Sequence, residues 1–129
     1  IWDGFVVLPS ITSDLLDLFD GVATQTIASK SYEVDDRTAT TVVVVSGGYP
    51  EAYEKGKVIT GTDNEEESIV YHAGTILKDG EVLSAGGRVL AVTSFGEDIP
   101  TALKKSYNTI DKISFDKMNY RKDIGFDLV

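Results

Sequence analysis

The residues best suited to chemistry stand near the end of the chain, in "DKMNYRKDIGF", residues 116–126. Arg121, Lys122, Asp123 and Gly125 follow closely on one another there. A guanidinium fork and an ammonium on one short strand could be delivered to a single phosphate, because arginine's donors match phosphate oxygens two at a time. Gly125 would let the backbone approach the ligand. The plainer reading is a surface arginine paired with Asp123 or Asp127, and chemistry alone favours it. Such a clamp orients a substrate and moves no proton. No general acid or base is assigned.

Other candidates weaken on inspection. His72, in "YHAGT", is the only histidine. Catalysis would need a nucleophile or an orienting acid within its reach, so a hydrogen-bonded strand histidine is the better reading. No nucleophile elbow, P-loop or dinucleotide fingerprint occurs. Gly47-Gly48 and Gly86-Gly87 read as turns or bulges. The acidic run Asp63-Asn64-Glu65-Glu66-Glu67 lacks EF-hand spacing and reads as a solvated loop. No metal ligand is assigned.

Composition bounds the rest. The chain has 129 residues, 42% hydrophobic and 26% charged, ordinary values for a globular protein of one domain, or of one domain plus an appendage from a neighbour. Its 21 acidic residues against 12 basic ones give a net charge of −9, which repels nucleic acid. A small anion held by a few local donors is compatible with that charge. No apolar run nears the ~20 residues that span a membrane. Cysteine is absent, so disulfides and thiolate zinc sites are excluded and nothing argues for secretion. A cytoplasmic location is expected.

Local patterns then supply the elements that must position the tail. "IWDGFVVLP" is apolar and β-prone and is expected to be a strand, whose unpaired edge could drive self-association through Trp2 and Phe5. Ser13 is the expected N-cap of an amphipathic helix over residues 14–25, with Leu15, Leu16, Phe19, Val22 and Ala23 at helical spacing. Residues 28–37 read as a connector. From Thr38 the texture changes. "TATTVVVV" is dense in β-branched residues and ends at the turn signal "SGGYP". "SIVYHAGTIL" and "EVLSAGGRVLAVTSF" are joined through Lys78-Asp79-Gly80, a hairpin cue. Asp98 and Pro100 open a second helix, whose apolar stripe is Ile99, Leu103, Tyr107, Ile110 and Ile113. A last short strand is expected around Phe115 or over Tyr120 to Ile124. These elements make an α+β domain, mostly antiparallel sheet with a helix packed back on it.

Read in order, "SGGYPEAYEKGK", "YHAGT", "GGRVLAVTSFG" and "YRKDIG" resemble the carboxy-terminal part of the phosphoribosylamine–glycine ligase family. The resemblance runs from about Pro9 to Leu128. It implies an ATP-grasp enzyme of purine synthesis that joins glycine to phosphoribosylamine, using ATP and Mg2+ and releasing ADP and phosphate. It also implies a division: residues 1–37 as the last strand, helix and connector of an ATP-grasp core, and residues 38–129 as a barrel-sandwich-hybrid-like terminal domain.

The likeness also has gaps. The family's Gly-Asp-Pro-Glu type of motif, which helps hold magnesium, is replaced here by Ile1-Trp2-Asp3-Gly4-Phe5. The lid and the amino-terminal substrate domain are not in this stretch. No cofactor is therefore expected on these residues, and no turnover without the rest of the ligase chain as partner.

Carried over by position, the resemblance implies a site for the ribonucleotide substrate's phosphate. It is made by Arg121 and Lys122 with Gly125, joined by Gly86, Gly87 and Arg88. Two other readings stay open: a purely structural terminal domain, marked by Arg88 and Arg121 on different faces, and an independent module for an anionic metabolite.

Overall fold

A computed structural model describes residues 4–63 and 67–128. The chain divides into two compact units, Ile1–Arg37 and Thr38–Val129.

In the first unit the opening run is a helix, α1 (Gly4–Ser10), and not the expected strand. Valine and phenylalanine favour strands only where a sheet gives them neighbours. Here Ser10 Oγ instead donates to the Val6 carbonyl at 2.7 Å, closing a helical turn. The strand edge expected to drive self-association is therefore missing at Phe5, and Trp2 lies outside the described residues. A second helix, α2 (Leu15–Ala23), follows. Its cap is Asp14, whose carboxylate accepts the Leu16 N–H at 2.9 Å. Ser13, the expected cap, accepts the Glu33 N–H at 2.7 Å instead. The backbones of Ile11 and Val34 form a bridge, and Lys30 Nζ closes on Asp17 at 2.5 Å.

Asp35 ends this unit in a tight local pair. It accepts the Arg37 fork at 2.9 Å from Nε and 2.6 Å from Nη2, and the Arg37 backbone N–H at 2.9 Å. The Arg37 side-chain hydrogen bond, then the backbone one, pulls its pKa from 3.8 to about 2. A lowered folded-state value means that the pair's stabilisation is present above the unfolded pKa and fades as pH falls through about 2. In an NMR titration the Asp35 carboxyl is expected to have its midpoint near 2, and Arg37→Gln to return it towards 3.8. An ordinary midpoint in the unsubstituted chain would dismiss the pair.

The second unit is built on β1 (Thr38–Ser46), where the β-branched run lies. β6 (Arg88–Gly96) pairs with it antiparallel, flanked by β3 (Ser68–His72), while β7 (Met118–Tyr120) takes β1's other edge. The resulting order is β3-β6-β1-β7. A second sheet has the order β2-β5-β4, from β2 (Val58–Ile59), β4 (Thr75–Lys78) and β5 (Glu81–Ser84). The β4–β5 hairpin turns on Asp79 and Gly80, with φ of 52° and 84°, the positive pair that an Asp-Gly turn takes up.

The runs "SIVYHAGTIL" and "EVLSAGGRVLAVTSF" are each split between the two sheets. The breaks fall at Ala73-Gly74 and at Ala85-Gly86-Gly87, where the two segments cross at backbone distance. Ala85 and Gly86 donate their N–H groups to the Gly74 carbonyl at 2.8 and 3.2 Å. A Cβ on Gly74 would lie 3.1 Å from Gly86 Cα and strike the Arg88 carbonyl.

The helix α3 (Ile99–Ile110) begins as the sequence indicates, with Asp98 accepting the Thr101 N–H at 2.8 Å and Pro100 in the first turn. It covers one face of the four-stranded sheet. Register orders that face in rows: Tyr120, Val44, Leu90 and His72; then Val42, Val92 and Val70; then Thr40, Ser94 and Ser68. The apolar rows join Leu103, Ile110 and Ile113 in the core. Ile113 belongs to the expected stripe but lies beyond the helix end.

Under the polar row Ser94 Oγ lies 2.7 Å from Ser68 Oγ and 2.8 Å from Ser106 Oγ, and Thr109 Oγ1 donates to Ser68 at 2.8 Å. Buried hydroxyls that satisfy one another escape the desolvation cost of unpaired ones. The chain of bonds also fixes where α3 sits along the sheet. The fold is α+β with antiparallel sheets, as expected. The final strand stops at Tyr120, short of the expected Ile124, because Asp123 to Leu128 turn back on themselves.

Candidate functional site

Arg121 leaves β7 immediately after Tyr120. Its guanidinium forks onto Asp123, with Nε at 2.9 Å and Nη2 at 3.0 Å. That hydrogen bond raises the Arg121 pKa and lowers that of Asp123. Both side chains are exposed, so the bond orients the arginine more than it stabilises the fold. The Arg121 carbonyl accepts the Tyr107 hydroxyl at 3.0 Å, which ties the tail to α3. Gly125 has φ +75°, and a Cβ there would come 3.1 Å from Ile99 Cγ2. Its freedom thus serves a turn packed on α3.

Arg88 lies elsewhere. The register sets it opposite Val45, which in turn faces Asn119. A register shift falls between Val44 and Val45, where the partner on β6 changes from Leu90 to Arg88. Two strand spacings, about 10 Å, separate the Arg88 backbone from that of Asn119 in β7. Arg88 thus stands on β6 and Arg121 just past β7, with β1 between the two strands. The Gly86-Gly87 backbone is itself covered. A Cβ on Gly87 would overlap the Tyr49 ring. Ser46 donates its N–H to the Gly87 carbonyl at 2.8 Å and its hydroxyl to the Gly86 carbonyl at 3.1 Å. Gly86 and Gly87 are packing glycines that lock "SGGYP" against the start of β6.

What the tail does border is an open pocket of about 260 Å3, lined by Tyr107, Asp111, Tyr120 and Lys122. The two tyrosine rings stand 6.0 Å apart, tilted by 33°. Lys122 Nζ lies 5.8 Å from the centre of the Tyr120 ring, within the range of a cation–π contact. The Tyr120 hydroxyl donates to Asp111 Oδ1 at 3.4 Å. Burial, and then the nearby Asp111 charge, raises the Tyr120 pKa, keeping the phenol a donor at neutral pH. Asp111 caps the C-terminal end of α3, and the last turn holds no basic residue. A carboxylate there adds to the negative end of the helix dipole instead of opposing it.

Of the expected site residues, only Lys122 lines this pocket, with Arg121 beside it. Sequence reading missed Tyr107, Asp111 and Tyr120. The tyrosines read as core and strand residues. The available signal was Asp111 itself, an acid where a helix end favours a base. His72 ends β3 exposed, with Nδ1 3.0 Å from Thr75 Oγ1, as a strand histidine would. Among the described residues no group of three His, Cys, Asp or Glu side chains could hold a metal ion.

Residues 39–127 match the family described as phosphoribosylglycinamide synthetase, C domain. The chain belongs to that family. Over 119 residues it is 37% identical to the phosphoribosylamine–glycine ligase of Caldanaerobacter subterraneus, covering 92% of this chain and 28% of the relative. Over 126 residues it is 44% identical to the trifunctional purine biosynthetic protein adenosine-3 of Gallus gallus, covering 94% of this chain and 12% of the relative. The crystal structure of the phosphoribosylamine–glycine ligase from Thermotoga maritima superposes with a TM-score of 0.66 at 34% identity, over 81% of this chain and 27% of that one. The chain thus spans less than a third of these relatives. Among the described residues no helix is long and apolar enough to cross a membrane. The synthetase C-domain match begins one residue after the second unit does.

Proposed function

We propose that this chain is the carboxy-terminal part of an ATP-dependent ligase of purine biosynthesis, joining glycine to 5-phosphoribosylamine to give glycinamide ribonucleotide, ADP and phosphate in the cytoplasm. The observation that carries this reading is the family match across nearly the whole second unit. ATP and Mg2+ are assigned to the remainder of the ligase, the ATP-grasp core and amino-terminal domain. The C domain lends the Arg121–Lys122 tail to the anionic end of the ribonucleotide substrate. Gly86 and Gly87 take the structural role that their packing supports.

A longer chain carrying this segment is expected to release ADP only when glycine and phosphoribosylamine are both supplied, and the 129-residue chain to release none. ADP release by the longer chain that ignores either substrate would overturn the ligase reading. In the longer chain Arg121→Ala is expected to raise the KM for phosphoribosylamine about ten- to hundredfold, since a hydrogen bond to a charged group contributes roughly 1.5–3 kcal/mol. Alanine keeps the carbonyl that holds Tyr107, so the fold should survive. An unchanged KM would remove the tail from the substrate and leave the ligase assignment standing.

A further inference from the structure

The pocket beside the tail has a chemistry that an anion clamp does not explain. A site for phosphate alone would not place a carboxylate opposite its ammonium. Here Asp111 and the negative end of α3 occupy one side, while Lys122 lies by the Tyr120 ring. Between them run the rings of Tyr107 and Tyr120. Aromatic faces attract cations through the ring quadrupole, and a carboxylate at a helix C-terminus deepens the attraction. Neither suits an anion. Lys122 does.

We propose that Tyr107, Asp111, Tyr120 and Lys122 form a subsite for a small zwitterion, a primary ammonium joined through a short spacer to a carboxylate or a phosphate. The ammonium sits against Asp111 and the tyrosine faces, and the anionic end meets Lys122. The hydrogen bond from the Tyr120 hydroxyl to Asp111 holds that carboxylate in place, so Tyr120 both lines the subsite and positions its acid. This deepens the ligase reading, in which both substrates carry an amine and an acid group. The pocket's own chemistry makes the case, and binding can be read without turnover.

The test is titration of the 129-residue chain, followed through the ring resonances of Tyr107 and Tyr120. Glycine supplies an ammonium–carboxylate and O-phosphoethanolamine an ammonium–phosphate. Methylamine, acetate and inorganic phosphate each lack one end. At least one zwitterion is expected to bind ten times more tightly than every single-ended probe, and the better of the two names the anionic group. Asp111→Asn and Lys122→Gln should each weaken it at least tenfold, and the neighbouring Lys112→Gln should not. Should Asp111→Asn disturb the fold, Asp111→Ser serves in its place. Inorganic phosphate or acetate binding as well as the zwitterions would overturn the proposal in favour of a plain anion site. No saturable shift with any probe would overturn it outright. Turnover by the longer chain is a separate readout, so the subsite can fail while the ligase reading holds, and the reverse.

Discussion

Gly61→Ala is expected to destabilise the 129-residue chain more than any other glycine-to-alanine change on an exposed loop. Gly61 has φ +80°, and a Cβ there would strike the Lys112 carbonyl oxygen and lie 2.9 Å from the Lys112 carbonyl carbon. Holding a non-glycine residue in that region costs about 1–3 kcal/mol, and overpacking against fixed neighbours costs about 1–3 kcal/mol more. The neighbour is backbone and has little room to yield. Thr60 and Ser114 exchange N–H to carbonyl bonds at 3.0 and 3.1 Å beside it, so relief would break the bridge fastening β2 to the chain after α3. A total of about 2–6 kcal/mol follows, read from urea unfolding. Gly80→Ala is the control, because φ is +84° there and nothing lies within 4 Å of the added carbon. It should show the conformational part alone. Equal losses at the two glycines would show that the Gly61–Lys112 contact bears no strain.

That contact also explains part of what the sequence could not disclose. Gly61 meets the Lys112 carbonyl, next to Asp111, and a contact between residues so far apart leaves no local pattern. What local physics governs was legible. Asp98 and Pro100 announced α3, Asp79-Gly80 announced the hairpin, and the change of texture at Thr38 coincides with the start of the second unit.

Misreadings came where tertiary partners decide. "GFVVLP" has β-prone composition, but with no strand beside it among the described residues of its unit it closes into α1. "SIVYHAGTIL" is one apolar run, yet Gly74 must cross Gly86 at backbone distance, so the run divides between two sheets. The Gly86-Gly87-Arg88 motif invited a chemical reading because glycine beside arginine often marks a phosphate. The ring of Tyr49 on Gly87 gives those glycines a packing reason instead. Tyr107 and Tyr120 were hidden differently. Each belongs to an apolar pattern that points it at the core, yet both stay half-buried and line the pocket.

Replacement of Leu90 carries the other large expected effect. Leu90 is fully buried in the row that crosses the whole four-stranded sheet from His72 through Val44 to Tyr120. Removing the side chain beyond Cβ costs the transfer energy of the lost carbons plus that of the cavity left behind, about 2–5 kcal/mol for Leu→Ala. The upper half of that range is expected here. Strands on both sides are tied by ladder hydrogen bonds, and α3 is fixed above by the Ser94–Ser106 and Ser68–Thr109 hydroxyl pairs, so collapse around the void is limited. Leu90→Met, which nearly conserves volume, should cost less than about 1.5 kcal/mol. If the row supports Tyr120 as the register indicates, Leu90→Ala should also shift the Tyr107 and Tyr120 ring resonances while Leu90→Met leaves them in place. A Leu90→Ala chain that unfolds at the unsubstituted midpoint would mean the sheet closes over the gap, and the tyrosine pair would then owe its geometry to α3 alone.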